Sequence, residues 1–188
     1  MDIRHAERSA DAAACAAIYA PYVRDTAISL EEDPPDAAAF ARRIERITRT
    51  HPWLVAVDRG VVIGYAYGGP HHDRSAYRWA ADAAVYMNPA HHRRGVGRQL
   101  YGALFGLLAK QGVQMVCAGV TLPNEASVGL HESLGFQPVG VYRRVAWKLG
   151  RWWDVGWWQL PLTYEQSERD PPAELGPPAR LGKQPAGR

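Results

Sequence analysis

The feature that most constrains this chain is a β-strand followed directly by a glycine-containing turn and an amphipathic helix. The apolar stretch that ends at Met87 is predicted to be the strand, and Asn88-Pro89 ends it. Apolar residues at helical spacing then predict a helix with one apolar face, formed by Leu100, Leu104, Leu107 and Leu108. The start of a helix therefore follows the end of a strand with only a basic turn between them.

This turn, His92-Arg-Arg-Gly-Val-Gly-Arg98, is predicted to bind an anion. Gly95 and Gly97 allow backbone N–H groups to turn inward, and the first N–H groups of the helix have no partner within it. The arginines Arg93, Arg94 and Arg98 add positive charge, so a pyrophosphate would fit. A plain turn with solvated arginines remains an alternative for this segment alone. The Walker and dinucleotide-binding loops are excluded, because no Gly-Lys-Ser/Thr follows and the third glycine is missing.

The rest of the chain is predicted to alternate between short helices and strands. The predicted helices are 10–23, one that opens at Pro34-Pro35-Asp36 and runs through Phe40, Ile44 and Ile47, and Glu125–Leu134. The predicted strands are Trp53–Asp58 and Val61–Gly68, joined as a hairpin, then Trp79–Met87, Met115–Val120, Phe136–Trp147 and Trp153–Leu160. This order predicts an α+β (mixed α/β) fold with a mixed sheet.

Composition limits the remaining possibilities. Of the 188 residues, 165–188 hold 5 of the 14 prolines and no aromatic residue, so 1–164 is predicted to be one folded domain with a disordered tail. The net charge of +3 suits an anionic small ligand as well as nucleic acid, but the basic turn lacks the aromatic platform of single-strand binders. Two cysteines and a charged N-terminal segment predict a cytoplasmic protein without a signal peptide or a membrane span.

Two motifs carry a resemblance to a known superfamily. The segment from His92 to Gly97 resembles motif A of the GNAT N-acetyltransferases, Gln/Arg-x-x-Gly-x-Gly/Ala, and departs from it at His92. The segment Asn124-Glu-Ala-Ser-Val-Gly-Leu-His131-Glu-Ser-Leu-Gly-Phe136 resembles the superfamily's motif B. The two motifs occur in the expected order, so the chain is identified as a member of the GNAT superfamily.

Within this superfamily the chain resembles the phosphinothricin and methionine sulfoximine N-acetyltransferases over nearly all of 1–164. The matching stretches are Ile18–Val23, Gly64–Pro70, Arg74–Trp79, Val85–Met87, His131–Phe136 and Trp153–Gln159. The resemblance implies a splayed, mostly antiparallel sheet flanked by helices, with acetyl-CoA between two central strands. It also implies a homodimer to which the C-terminal strands contribute.

The resemblance further assigns the residues that bind acetyl-CoA. The backbone of Val85, Tyr86 and Met87 would run along the pantetheine arm as an added strand would. The turn would wrap the pyrophosphate through Arg93, Arg94, Gly95, Val96, Gly97 and Arg98, and Asn124 would hold the pantetheine or the adenine side. The Met87 N–H is the expected donor to the oxyanion of the reaction.

Transfer of an acetyl group to an amine needs a group that removes a proton, because an ammonium has no lone pair. Asp82 is the first candidate base, at a position where the related enzymes carry Glu, and its shorter side chain favours a relaying water. A role only in ordering the strand remains an alternative. His131 is the second candidate, at the position where many GNAT enzymes place the tyrosine that protonates the thiolate.

The segment Arg74-Ser75-Ala76-Tyr77 before this strand is the predicted substrate loop. Arg74 could bind a substrate carboxylate or phosphinate through two hydrogen bonds, or it could simply be solvated. The histidine pairs 71–72 and 91–92 are expected to be structural or exposed, and no metal site is predicted, because no Cys, Asp or Glu recurs near them at ligand spacing. Cys117 is expected to be a small buried side chain rather than a nucleophile.

Five of the seven tryptophans lie within twelve residues, from Trp147 to Trp158. Strand alternation puts Trp153 and Trp157 on one face and Trp152 and Trp158 on the other. Such a strand needs two surfaces to pack against, and the second is either a dimer partner or the substrate pocket, unless the strand lies wholly within one chain's core.

The expected function is transfer of an acetyl group from acetyl-CoA to the α-amine of a small amino acid or analogue. Two alternatives remain at this point. One is acetylation of another small amine or of a protein N-terminus, and the other is a non-catalytic acyl-CoA-binding module. The presence of both Asp82 and His131 disfavours the second alternative.

Overall fold

Seven strands form one open sheet in the order β1-β2-β3-β4-β5-β7-β6 in the computed structural model, which describes residues 1–162 and 174–182. The strands are β1 Asp2–His5, β2 Trp53–Asp58, β3 Val61–Pro70, β4 Ala80–Met87, β5 Met115–Leu122, β6 Gln137–Lys148 and β7 Arg151–Pro161. The helices are α1 Arg8–Arg24, α2 Ala37–Thr48, α3 Val96–Gln111 and α4 Glu125–Ser133, with short 3-10 turns at Ser75–Tyr77 and Pro89–His91. Only β4 and β5 pair in parallel, so the predicted mixed, mostly antiparallel sheet is confirmed.

The helices cover the two faces of the sheet. On one face α1 and α2 pack through an aromatic-rich cluster that includes Tyr19, Phe40 and Trp53. On the other face α3 buries the leucines at its predicted helical spacing, and Leu100 and Leu104 are fully inaccessible. Burial of each such leucine contributes roughly 1.5–3 kcal/mol, so this face of α3 fixes the helix against the sheet.

The first strand, β1, was not predicted from the sequence, because its four residues carry a single apolar side chain, Ile3. It pairs antiparallel with β2 at the edge of the sheet. An ion pair also joins it to α1: the guanidinium of Arg4 donates two hydrogen bonds, of 2.6 and 2.8 Å, to the buried carboxylate of Asp11. The strand is therefore held by a side-chain interaction that periodicity does not reveal.

The central strands separate partway along their length. β4 and β5 pair only from Ala80–Asp82 to Met115–Cys117, and beyond Asp82 no pairing joins them. On its other side β4 stays paired with β3 as far as Met87. One edge of the second half of β4 is therefore open to the gap between the strands, which we call the central cleft.

Part of the segment that was predicted to be disordered lies against the domain. Leu175, Ala179 and Leu181 pack on the cluster under α3. The N–H of Gly176 donates to the carbonyl of Gln111 at 2.8 Å, and the N–H of Leu181 donates to His5 Nε2 at 3.1 Å. Disorder was expected from the polar average composition of this stretch, and the two leucines that pack on the domain are apolar exceptions to that average. The remainder of that prediction, at 165–173 and 183–188, lies outside the described residues.

Among the helices of 1–162, none has the length and hydropathy that crossing a membrane requires.

Candidate active site

The open edge of β4 directs backbone groups into the central cleft. The N–H of Asn88 donates to the carbonyl of Ile63 of β3. Residues of an antiparallel strand alternate between bonding to their neighbour and pointing away from it, so the residues one and three positions before Asn88 direct their N–H and C=O groups away from β3. Those residues are Met87 and Val85. Their orientation is the one that an extended ligand lying beside β4 would need, as the sequence analysis expected for the pantetheine arm.

The basic turn beyond this edge forms the N-terminus of α3. Gly95 precedes the helix with a left-handed φ of 74°, and Arg93 also has a left-handed φ, of 59°. The positive end of the helix and its unpaired N–H groups therefore face outward from the turn. Of the three predicted anion-binding arginines, Arg98 turns toward α4 and donates to the Ser133 hydroxyl at 2.6 Å.

A tyrosine that the sequence analysis did not assign to the site ties this turn to β4. The hydroxyl of Tyr22, on α1, donates to the Met87 carbonyl at 2.6 Å and accepts from His92 Nε2 at 2.9 Å. The Met87 carbonyl is thereby occupied, while its N–H stays directed into the central cleft. Tyr22 thus fixes the spacing between the open strand edge and the basic turn.

The predicted Asn124 stands at the start of α4, where it caps the helix. Its Oδ1 accepts from the Ser127 N–H at 3.1 Å. Its side chain also lines the central cleft, together with Thr121 and Val85. The amide nitrogen of Asn124 has no partner among the described residues, so it is free to face a ligand in the cleft.

His131 is buried behind the cleft and is bonded to Tyr101. Its Nδ1–H donates to the Ser127 carbonyl at 2.7 Å, and its Nε2 accepts from the Tyr101 hydroxyl at 3.1 Å. Burial lowers the pKa of His131, against the opposing effect of the Ser127 bond, so the ring is neutral near pH 7. Both side chains line the cleft on its α3–α4 side. Because both ring nitrogens are bonded, any proton that His131 exchanges with a ligand there passes through Tyr101, a residue that was not assigned to the site from the sequence.

Asp82 lies on the opposite face of the sheet, at the last paired position of β4 before the cleft opens. Its Oδ1 accepts a hydrogen bond of 2.6 Å from His71 Nδ1. Burial raises the pKa of Asp82 above its ordinary value, and the bond to His71 opposes that rise. Sequence spacing gave His71 no acidic neighbour, whereas the fold places the carboxylate of Asp82 beside it.

The carboxylate of Asp82, the ring of His71 and the thiol of Cys117 present atoms within 4.8 Å of one another. Sequence spacing did not show this cluster, because its members come from the end of β3, from β4 and from β5. Burial, with the charge of Asp82, raises the pKa of the Cys117 thiol to about 11. The thiol stays protonated near neutral pH, which makes it a poor metal ligand and a poor nucleophile.

A cavity of about 490 Å³ adjoins the central cleft on the α1–α2 side of the sheet. The two spaces share Ile28, Tyr86, Gly119 and Thr121 as lining residues. The segment between α1 and α2 supplies the outer wall of this cavity, which we call the acceptor cavity. A ligand that enters the central cleft from one face can therefore meet a second ligand on the other.

The wall of the acceptor cavity is held by a lysine from the far end of the sheet. Lys148, the last residue of β6, donates from Nζ to the carbonyls of Val23 and Ser29 at 2.5 and 2.6 Å. The Ser29 hydroxyl in turn contacts the Tyr19 hydroxyl at 2.6 Å, and Tyr19 donates to Glu31 at 2.8 Å. These residues were not predicted from the sequence, because their partners are more than a hundred residues apart or lie in a loop.

The predicted substrate loop is exposed. Arg74 has no partner for its guanidinium within the described part of the chain, and Ser75 and Ala76 are also exposed. The ring of Tyr77 stacks on His72 with centroids 5.0 Å apart and lies 5.9 Å from the ring of His71. The loop is therefore next to the Asp82–His71 pair, with Arg74 free to bind an anion.

A fold in which a central cleft separates two parallel strands, with a helix N-terminus at its mouth, is suited to binding an acyl-CoA. The family model of the acetyltransferase (GNAT) domain matches residues 3–157. The chain belongs to this family, and it is an acetyl-CoA-dependent N-acetyltransferase.

Its relatives include enzymes of two named activities. The phosphinothricin N-acetyltransferase of Streptomyces viridochromogenes is 39% identical over 159 residues, 85% of this chain and 86% of that protein. The L-methionine sulfoximine/L-methionine sulfone acetyltransferase of Salmonella typhimurium is 36% identical over 163 residues, 86% of this chain and 95% of that protein. A phosphinothricin acetyltransferase from Sinorhizobium meliloti, solved with acetyl-CoA, superposes with a TM-score of 0.88 at 32% identity, covering 95% of this chain and 97% of that one.

Proposed function

We propose that this enzyme transfers the acetyl group of acetyl-CoA to the α-amine of small amino acids or their analogues, of the methionine sulfoximine, methionine sulfone or phosphinothricin kind. The observation that carries the proposal is the junction of the central cleft with the acceptor cavity. Backbone groups of β4 face the cleft and the start of α3 lies beyond its open edge, whereas the Asp82–His71 pair lies on the other face of the sheet.

The residues divide the work between these two faces. On the α3–α4 side, Val85 and Met87 offer backbone groups to the pantetheine, and the turn with Gly95 offers N–H groups to the pyrophosphate. The Met87 N–H is positioned to stabilise the oxyanion, because it points into the central cleft. On the α1–α2 side, Asp82 and His71 can accept a proton from the amine, and Arg74 can bind the acceptor's carboxylate or phosphinate.

The departing thiolate is expected to take its proton on the α3–α4 side. Tyr101 lines the cleft there and is bonded to His131. His131 is proposed to act through the Tyr101 hydroxyl to which it is bonded. Asp82 is proposed to act together with His71, to which it is bonded on the other face of the sheet.

The test is release of free thiol from acetyl-CoA with a panel of acceptors. The panel contains amino acids, methionine sulfoximine, methionine sulfone, phosphinothricin, polyamines and a peptide with an N-terminal serine. Turnover of the amino-acid-like acceptors is expected. Turnover of the peptide or the polyamines alone would refute the proposed acceptor class, and binding of acetyl-CoA without turnover of any amine would indicate a binding module.

The enzyme is further proposed to act as a homodimer through β6 and β7. β6 is an edge strand, and the hairpin exposes a set of large apolar side chains: Val139, Val141, Tyr142, Val145, Trp147, Leu149 and Trp152. An apolar edge of this kind is normally covered. Light scattering is expected to give a molar mass of two chains for the wild type and of one chain for Trp147→Glu. A monomeric wild type at micromolar concentration would refute the dimer.

We place the enzyme in the cytoplasm, where acetyl-CoA is available and where Cys15 and Cys117 remain free thiols, as they are in the structure. Acetylation of a toxic amino-acid analogue would remove its free amine, so expression of the enzyme is expected to give resistance to such compounds. Growth of a sensitive host on methionine sulfoximine or phosphinothricin measures that effect.

A further inference from the structure

The sheet brings His71 and Asp82 together as diagonal neighbours on adjacent strands. Asp82 pairs with Gly69 of β3, and the N–H of His71 donates to the Ala80 carbonyl at 3.4 Å, which continues the ladder beyond β3. Side chains two residues apart lie on the same face, so His71 and Asp82 both project to the α1–α2 side. Their 2.6 Å hydrogen bond is therefore a consequence of strand register.

The surroundings hold the imidazole ring in one orientation. The ring of Trp157, on β7, meets it edge-on with centroids 5.8 Å apart, and Tyr77 lies 5.9 Å away. The titratable groups that face His71 are Asp82 from β4, Cys117 from β5 and Tyr77 from the substrate loop. Asp82 supplies the negative charge of this group, because burial and the charge of Asp82 raise the pKa of the Cys117 thiol to about 11.

The hydrogen bond determines which nitrogen of His71 can act as a base. A carboxylate only accepts, so the Nδ1 of His71 carries the proton that it shares with Asp82. The neutral ring then has its lone pair on Nε2, which has no partner among the described residues. The side chain of His71 is 27% exposed, so this nitrogen remains accessible. Asp82, by contrast, already uses Oδ1 to hold the ring.

We propose that His71 is the catalytic base that takes the proton from the acceptor amine through Nε2, and that Asp82 is its positioning residue. This inference rests on the proposed function, because it names the base of that same reaction. The imidazole extends the reach of the short carboxylate on the α1–α2 side of the sheet. It takes the place of the relaying water that the sequence analysis expected for Asp82.

The proton and electron balance of the step is simple. The ammonium of the acceptor gives one proton to Nε2, and the freed lone pair forms a bond to the thioester carbonyl carbon, whose π electrons move to oxygen. Collapse of this adduct restores the carbonyl and breaks the C–S bond, so the electron pair leaves with sulfur. The second proton of the nitrogen ends on the thiolate, and His71 returns its proton to solvent. The products are the amide, CoA thiol and one proton.

The variant His71→Asn tests the proposal, because the asparagine side-chain nitrogen can still donate to Asp82 while Nε2 is removed. We expect kcat to fall by about 100-fold or more at pH 7, the range of a lost general base. The deficit should shrink toward pH 9–10, where the neutral amine forms by itself. The thermal shift caused by acetyl-CoA should equal that of the wild type, which shows that the fold and the central cleft are intact.

Asp82→Asn and the double variant show whether the two residues act as a unit. Asp82→Asn is expected to lower kcat by about 10- to 100-fold in the wild type and by less than about 3-fold in the His71→Asn background, because a positioning residue has no effect once its base is gone. His72→Asn is the matched control in the same loop. Its Nδ1 accepts from the Arg74 N–H, and no hydrogen bond joins it to Asp82, so the pH profile of this variant should match that of the wild type.

Three outcomes would overturn the proposal: near wild-type kcat with His71→Asn, a deficit that is constant from pH 6 to 10, or an undiminished effect of Asp82→Asn in the His71→Asn background. The last would make Asp82 the base in its own right. Each of these requires an active wild type, and therefore leaves the proposed function standing. A wild type that turns over no amine in the acceptor panel would overturn the proposed function, and this inference with it.

Discussion

Replacement of Lys148 by methionine separates the wall of the acceptor cavity from the sheet. The buried ammonium donates to the Val23 and Ser29 carbonyls, and methionine fills a similar volume without a donor. Each hydrogen bond from a charged donor contributes about 1.5–3 kcal/mol, and removal leaves two carbonyls unsatisfied. The desolvation of the lysine charge, which also lowers its pKa, offsets part of this sum. The expected loss of unfolding free energy is therefore about 2–4 kcal/mol.

Urea denaturation measures this loss directly, and a thermal scan should show a decrease in Tm of roughly 10 °C for a domain of this size. Lys148 holds the segment that forms the outer wall of the acceptor cavity and that reaches the central cleft through Ile28 alone. KM for the acceptor should therefore rise at least several-fold, while Kd for acetyl-CoA should change much less. Lys110→Met, on the exposed side of α3, is the control and should change neither quantity. A loss below about 1 kcal/mol, or an unchanged acceptor KM, would refute the assigned role of Lys148.

Three further predictions concern other parts of the molecule. Gly95→Ala should weaken acetyl-CoA binding and destabilise the fold by about 1–2 kcal/mol, because alanine is strained at a φ of 74°. Gly102→Ala within α3 is its control, and calorimetry should show that it stabilises the fold by about 0.5–1 kcal/mol. Tyr101→Phe should lower kcat about tenfold without changing KM, since it removes the hydroxyl that bonds His131. An unchanged kcat in steady-state kinetics would contradict the assigned role of Tyr101. Burial alone would raise the pKa of Asp11, but the hydrogen bonds from Arg4 and the Glu7 N–H lower that pKa below 3.8. The ionised carboxylate therefore stabilises the fold above pH 3.8, and its contribution is lost as the pH falls through the lowered pKa. Asp11→Asn should accordingly cost about 2 kcal/mol at pH 7 and progressively less as the pH falls below 3.8 in urea titrations, and a cost that does not change with pH would argue against the ion pair.

The fold could be predicted from the sequence wherever one element carries its own periodic signal. The leucines of α3, the Arg59-Gly60 hairpin and the start of α2 after Asp36 are local patterns, and each lies where it was expected. Strand β1 has no such pattern, because its position depends on pairing with β2 and on the Arg4–Asp11 ion pair.

The site was predictable where a motif covers it and not where the residues come from separate elements. The basic turn and Asn124 lie at the helix starts that the motifs indicated. The His71–Asp82 bond could not be read from sequence, because it depends on the register of β3 against β4. Lys148 is further from prediction still, since 125 residues separate it from Val23.

The separation of β4 from β5 places unpaired strand edges in the middle of a sheet rather than at its rim. At a rim, such edges invite pairing with other proteins and aggregation. Here Tyr101 and His131 lie on one side and the segment between α1 and α2 on the other, so the gap excludes a folded neighbour's strand while it admits a slender extended molecule. The fold therefore keeps the recognition capacity of an exposed β-edge without the self-association that usually accompanies it.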